Sequence, residues 1–322
     1  MLEVFLFCIE IFLCKFFCFF IYKIMFENFE FVENANLSKL STMKTGGKAK
    51  YIIFPKNVTE LRQILKIIKK NGLKSFIIGN CSNILFSDYG FDGVLISLKH
   101  FDKIKKTKNF VEIGAGVNLF ALNQKLALLE LSGMEWSFGI PGSFGGLIYM
   151  NGGCFGSEVF DFVESVKVLD GEEIKNLKKA EIKFGYRATD LKDKIVLSAK
   201  LKLKSEESEK ILEKMQFFLK IKHENQPCDF PSLGSIFKQI KTDEKIIYPA
   251  KIIDNLGLKG FKIKRAEISK KHAGFIVNSG NATSDEIFSL ICFVQKKLAE
   301  QNVFPELEIV LLGKFNLIEG EI

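Results

Sequence analysis

Only three histidines occur in the 322-residue sequence, and none of its seven cysteines forms a CxxC pair. These shortages remove the usual ligand spacings of a zinc centre, and no metal site is expected. Cys8, Cys14, Cys18, Cys81, Cys154, Cys228 and Cys292 are odd in number and scattered. That fits free thiols in a reducing cytoplasm rather than a disulfide framework. Tryptophan occurs once, internal repeats are missing, and no stretch interleaves aromatic with basic residues as nucleic-acid readers do. The net charge of +8 comes from 46 Lys+Arg against 38 Asp+Glu, and the lysines are dispersed. An anionic small ligand suits that balance; nucleic acid is not required by it. Nor does the chain order Ser, His and Asp, or pair carboxylates, in a way that reads as a hydrolytic site.

Residues 1–24 differ from the rest. Ile11 to Tyr22 is almost wholly apolar, broken by Lys15, and falls short of the ~20 residues of a membrane span. Glu3 and Glu10 precede it, and neither a basic n-region nor a small-residue cleavage site accompanies it. A membrane anchor is the alternative reading. The one adopted is that this tail stands outside the fold, with Met25 as the proper start and no membrane attachment of the mature fold.

What the chain does have is glycine in one place: Gly139 to Gly156 holds seven glycines in eighteen residues, interleaved with Ser143, Tyr149 and Asn151. Such a run is poor core material, because each glycine loses extra backbone entropy on ordering. It offers bare N–H groups and close backbone approach, which suit a phosphate or a flat ring. A second small polar turn, Gly79-Asn80-Cys81-Ser82-Asn83, follows a strand over Ser75 to Ile78. A phosphate loop and a plain hairpin turn fit it equally.

Around these loops the periodicity predicts alternating strands and helices. Asn57 caps a helix with Val58, Leu61, Ile64, Leu65 and Ile68 on one face, ended by Gly72. Further helices are predicted over Leu119 to Leu131, over Ser205 to Lys222 with Leu212, Met215 and Leu219 on a stripe, and over Pro249 to Leu256. Thr283 and Glu286 have capping-box spacing for a helix running to Glu300. Strands are predicted at Tyr51 to Phe54, Ile84 to Phe86, Val111 to Ile113, Val163 to Leu169, Glu181 to Phe184, Lys194 to Leu203, Phe275 to Val277 and Leu307 to Leu312.

Four polar residues stand out, each with a plain alternative. Arg187 is a site residue or a surface charge, Ser235 a site residue or a helix cap, and Glu308 a site residue or the polar end of a strand. His272 reads as a hydrogen-bonded structural residue. In order, with their flanks, these stretches resemble one family. They are Ser41-Thr-Met-Lys-Thr-Gly-Gly47, Gly79 to Asn83 with Asp88-Tyr-Gly-Phe-Asp-Gly93, Gly139 to Gly156 and Gly185-Tyr-Arg187. Gly234-Ser-Ile-Phe-Lys238, Gly257-Leu-Lys-Gly260, His272-Ala-Gly-Phe-Ile-Val-Asn278 and Glu308-Ile-Val-Leu-Leu-Gly313 follow. The sequence is thereby similar to the UDP-N-acetylenolpyruvoylglucosamine reductases, in particular to their shorter, type II members.

The resemblance implies an α+β fold. A two-part FAD-binding region of the vanillyl-alcohol-oxidase (PCMH) type is expected over 25–208, and a C-terminal α/β substrate-binding domain over 209–322. It implies non-covalent FAD, NADPH as co-substrate, and reduction of UDP-GlcNAc-enolpyruvate to UDP-N-acetylmuramate for peptidoglycan, by a cytoplasmic monomer. Arg187 and Glu308 are expected to stabilise the enol, and Ser235 to donate the proton. Cofactor contacts are expected from Gly79, Asn80, Cys81, Ser82, Asn83, Gly142, Ser143, Gly145, Gly146 and Gly153. Substrate contacts are expected from Tyr149, Asn151, Lys238 and Gln239. Another FAD oxidoreductase of the same fold, acting on a different alcohol or sugar acid, is the alternative. Three positions depart from the family pattern: Cys81 and Lys264-Arg265 stand where glycine is usual, and Gln239 where asparagine is.

Overall fold

The computed structural model describes residues 24–242 and 244–318, so the reading of the apolar tail falls, but for Ile24, outside them. The architecture is α+β. Its first layer comprises β1 (Phe31–Asn36), β2 (Lys48–Ile53), α1 (Val58–Lys70), β3 (Ser75–Ile78), β4 (Ile84–Phe86) and β5 (Phe91–Ser97). Four of the strands form a sheet of order β1-β2-β5-β3. β2 and β3 run parallel to β5, and β1 is an antiparallel edge. α1 forms as its spacing predicts: Asn57 Oδ1 accepts the Glu60 N–H at 3.0 Å, and Leu61, Ile64 and Ile68 bury one face against the sheet.

A second sheet follows from β6 (Ile104–Thr107), β7 (Phe110–Gly114), α2 (Leu119–Leu128), α3 (Phe144–Tyr149), β8 (Val163–Asp170), β9 (Glu173–Lys178) and β10 (Ile195–Lys202). Its order is β9-β8-β10-β7-β6, antiparallel throughout. One apolar core, with Ile53, Val111, Trp136 and Val166 among its members, joins the two sheets. Two sequence expectations change here. α2 stops at Leu128 because Glu130 turns left-handed (φ 53°) and Leu131–Ser132 pairs with Lys204–Ser205. Of the strand expected over Glu181 to Phe184 only Phe184 is in one: the Glu181 carboxylate accepts the Lys178 N–H at 2.8 Å and curls Lys179–Glu181 into a 3-10 turn.

α4 (Ser208–Asn225) then packs on α2 through Ile211 and Met215. Leu212, expected on that stripe, is 43% exposed, and Ile211 takes its place. Beyond it lie β11 (Ser232–Ser235), α5 (Pro249–Asn255), β12 (Lys262–Ile263), β13 (Ala266–Ile268), β14 (Phe275–Asn278), α6 (Ser284–Ala299) and β15 (Val310–Leu312). The sheet order is β11-β14-β13-β12. The Thr283–Glu286 capping box is present on α6. The expected strand from Leu307 begins only at Val310, since Leu307 bridges to Phe237 instead. This second core runs from Leu233 onward and takes in Met43 and Leu85 from the first layer.

Several ties hold the two cores together. β15 pairs in parallel with β4. Asp88 and Ser284 exchange hydrogen bonds, Asp88 N–H to Ser284 Oγ at 2.8 Å and Ser284 N–H to Asp88 Oδ2 at 2.5 Å. The Thr42 hydroxyl donates to Ser232 O at 2.7 Å. Among the described residues no helix is long and apolar enough to cross a membrane, and no His/Cys/Asp/Glu group could hold a metal.

Candidate active site

The two cores and the glycine-rich stretch enclose a cleft of about 1670 Å³. Gly79 to Asn83 and Gly139 to Gly156 both face it. The glycine-rich stretch is not all loop: Phe144, Leu147 and Ile148 are buried and anchor the short helix α3, with Ser143 as its N-cap. A Cβ at Gly79 would sit 2.1 Å from Ser143 Oγ, so a side chain there would displace the Ser143 hydroxyl that caps α3. Asn80 Nδ2 ties them by donating to Gly142 O at 2.9 Å. Glycine backbone that a ligand can approach closely, with Ser and Asn side chains beside it, suits a dinucleotide's pyrophosphate. Gly79, Asn80, Cys81, Ser82, Asn83, Gly142, Ser143, Gly145, Gly146 and Gly153 all line this one cleft, and the residues present fit FAD.

Arg187, Ser235 and Glu308, far apart in sequence, line the same cleft. Arg187 sits at the tip of a hairpin in which Phe184–Gly185 pairs with Ala188–Thr189, and its φ of 52° is left-handed while that of Tyr186 before it is not, the sign pattern of a type II turn. Its Nε–H donates to Glu308 Oε1 at 2.6 Å and its Nη2 to Gly153 O at 2.5 Å. Glu158 Oε1 lies 3.9 Å from Nη1. The guanidinium also lies 4.8 Å from the centre of the Tyr186 ring. Glu308 is placed from both sides: Asn83 Nδ2 donates to its carbonyl at 2.9 Å, and its N–H donates to Ile236 O at 2.8 Å. That second bond sets Glu308 beside the end of β11, where Ser235 stands.

Of the expected substrate contacts, Tyr149 and Gln239 face the cleft. Burial pushes the phenols of Tyr149 and Tyr186 above their ordinary value, with Asp193 adding to the first and Glu308 to the second. Asn151 and Lys238 are placed elsewhere. Asn151 is fully buried with its amide bonded to protein groups, and Lys238 pairs with Glu306 at 2.9 Å.

Lys222, not singled out by the sequence reading, does line the cleft, and its ammonium donates to Gly139 O. Burial pulls its pKa below the usual lysine value. Met215, Leu219 and Lys222 follow one another at steps of four and three residues, which puts Lys222 on the inward stripe of α4, a signal the sequence carried.

Comparison with known proteins decides the assignment. The model of an FAD binding domain matches residues 49–174, and that of the UDP-N-acetylenolpyruvoylglucosamine reductase C-terminal domain matches 226–312. The reductase of Caldicellulosiruptor saccharolyticus is 40% identical over 294 residues, 89% of this chain and 94% of that protein. The chain belongs to the UDP-N-acetylenolpyruvoylglucosamine reductase family. The Thermotoga maritima reductase is also 40% identical, over 82% of this chain and 92% of its own length. The crystal structure of the Thermus caldophilus reductase superposes with a TM-score of 0.73 at 30% identity, covering 88% of this chain and 99% of that one.

Within this reductase family two departures acquire a physical reading. Cys81 and Lys264 keep the left-handed backbone a glycine would adopt, with φ of 53° and 51°, at a cost of about 1–2 kcal/mol each. Cys81 is buried, and loss of solvent pushes its thiol up to about 12. His272 lies off the cleft: its Nδ1 accepts the Gly274 N–H at 3.1 Å and its ring meets Phe275 edge-on at 4.9 Å.

Proposed function

We propose that this chain uses NADPH and bound FAD to reduce UDP-GlcNAc-enolpyruvate to UDP-N-acetylmuramate, a step of peptidoglycan synthesis. The observation that carries the reading is the convergence of Arg187, Glu308 and Ser235 on the cleft that both glycine loops line. When bound, FAD supplies the hydride chemistry between NADPH and the enolpyruvyl double bond.

The chain's own residues do the rest. Adding a hydride to an unsaturated acid drives negative charge onto its carboxylate. The Arg187 guanidinium is already fixed by Glu308 and Gly153 O, so it stabilises that charge without reorganising. Glu308 keeps the fork oriented and balances its charge before substrate arrives. A serine hydroxyl is a weak acid and protonates only a strongly basic carbon, which the enolate is; Ser235 is the donor. The Gly79 to Asn83 and Gly142 to Gly146 loops would hold the cofactor without a covalent link. A single chain supplies every group named, which supports a monomer as the working unit, and the scattered thiols support a cytoplasmic setting.

The deciding assay is NADPH oxidation by the purified yellow protein. Absorbance at the NADPH band should fall only when the enolpyruvyl sugar nucleotide is present. Turnover with an unrelated alcohol or sugar acid, and none with the enolpyruvyl sugar, would overturn the assignment.

A further inference from the structure

Asn151 looks in sequence like a polar group offered to a ligand, yet it is 0% exposed. Every donor of its amide is used. Nδ2 donates to Glu158 Oε2 at 2.8 Å and to Gly185 O at 2.9 Å, while Oδ1 accepts the Phe160 N–H at 3.2 Å. Its φ of 46° is left-handed, a conformation asparagine tolerates better than other side-chain-bearing residues.

Both acceptors lead to Arg187. Gly185 is two residues earlier on the hairpin that carries Arg187, and Thr189 fastens the other strand through its hydroxyl to Tyr149 O at 2.6 Å. Glu158, gripped by the same amide, points its second oxygen at Arg187 Nη1 from 3.9 Å. One buried side chain thus fixes the height of the hairpin and aims the carboxylate behind the guanidinium. Gly153 O, which accepts from Arg187 Nη2, lies two residues beyond Asn151 on the same turn.

We infer that Asn151 is a positioning residue: it never meets the sugar nucleotide, and it sets the orientation of Arg187 through Gly185 O and Glu158. The inference rests on the reading of Arg187 as the group that stabilises the substrate's carboxylate. Asparagine is the residue this needs, because the two acceptors demand two N–H donors from one planar head, and aspartate, alanine or glycine gives none.

The test uses full-length holoenzyme and two variants. Asn151→Gly keeps the left-handed backbone and deletes the amide. Asn151→Asp keeps the shape but sets a carboxylate against Glu158 and Gly185 O. Both should retain FAD, and flavin bleaching by NADPH should keep its rate. Flavin reoxidation by the enolpyruvyl sugar should slow by about 10²-fold, the scale for misplacing a catalytic group by an ångström, with kcat falling far more than KM rises. The Asn151→Asp deficit should shrink as pH falls, because a protonated aspartic acid regains one donor. Adding Arg187→Lys to Asn151→Gly should cost nothing beyond Arg187→Lys alone. A raised KM with unchanged kcat would give the amide to substrate binding, and additive losses would make it independent of Arg187; either overturns the inference. A normal rate in Arg187→Lys removes the reading beneath it. A slow Arg187→Lys beside a fast Asn151→Gly removes the inference alone.

Discussion

Arg187 and Glu308 are 121 residues apart in sequence and 2.6 Å apart in space, joined by a hydrogen bond from Nε to Oε1. Each is only 15% exposed in its side chain. A charge pair this enclosed is costly to desolvate and a weak source of stability. On the reading proposed above, its use is to orient the guanidinium in the cleft. Lysine cannot copy the planar fork. Arg187→Lys is therefore expected to melt near the wild-type temperature and keep its flavin, while turnover falls by about 10²-fold or more. Early melting with loss of FAD would make Arg187 a structural residue.

Removing Ser235 should divide the reaction. Ser235→Ala leaves the loops that hold the cofactor untouched, so bleaching by NADPH should proceed at close to the normal rate. Reoxidation by the enolpyruvyl sugar should slow by roughly 10²–10⁴-fold, the usual worth of a positioned acid. Ser235→Cys should recover part of it. Anaerobic stopped-flow absorbance reads both halves; equal slowing of the two would reduce Ser235 to a shaper of the pocket.

The thiols should separate cleanly by reactivity. Cys81 is 4% exposed and its thiol is pushed up to about 12 by burial, whereas Cys228 is exposed. The thiolate is the reactive form. Brief iodoacetamide treatment near neutral pH, followed by peptide mass spectrometry, should label Cys228 and leave Cys81 unmodified until denaturant is added. Labelling of Cys81 in the folded protein would mean that the Gly79 to Asn83 loop opens.

Stability should fall in mild acid, in part through His272. Loss of solvent pulls its pKa below the ordinary 6.5, and a proton on Nδ1 would face the Gly274 N–H instead of accepting from it. The folded state thus holds the proton less tightly than the unfolded chain. The contribution is intact above the ordinary value and is lost as pH falls below it, through the lowered folded value. His272→Asn, which keeps an acceptor without the titration, should flatten the dependence of melting temperature on pH in that window. An unchanged slope would assign the acid sensitivity to other groups.

Features made by local chemistry were legible in the sequence. The cap at Asn57, the Thr283–Glu286 box and the apolar face of α1 appear where residue spacing puts them. β9 was not legible, because every residue from Glu173 to Lys178 except Leu177 is exposed and no alternation marks it. α3 was hidden by its own glycines, which are poor helix formers; buried Phe144 and Ile148 override that preference. The site divided in the same way. Arg187, Ser235 and Glu308 followed from a resemblance in ordered motifs, since nothing in spacing announces a partner so many residues away. Asn151 carried polarity but no sign of burial, and Lys222 carried a helical period that its charge obscured.

The parallel pairing of β4 with β15 has a consequence for biosynthesis. Asn83 reaches Glu308 across a sequence separation of 225, so the carboxylate behind Arg187 is seated only when a strand made long after β4 pairs beside it. A nascent chain that has emerged as far as α6 carries both dinucleotide loops, yet it lacks Glu308 and the strand that pairs with β4. Cofactor loops and catalytic carboxylate are thereby separated in the order of synthesis: Gly79 to Asn83 and Gly139 to Gly156 are made well before the strand that seats Glu308.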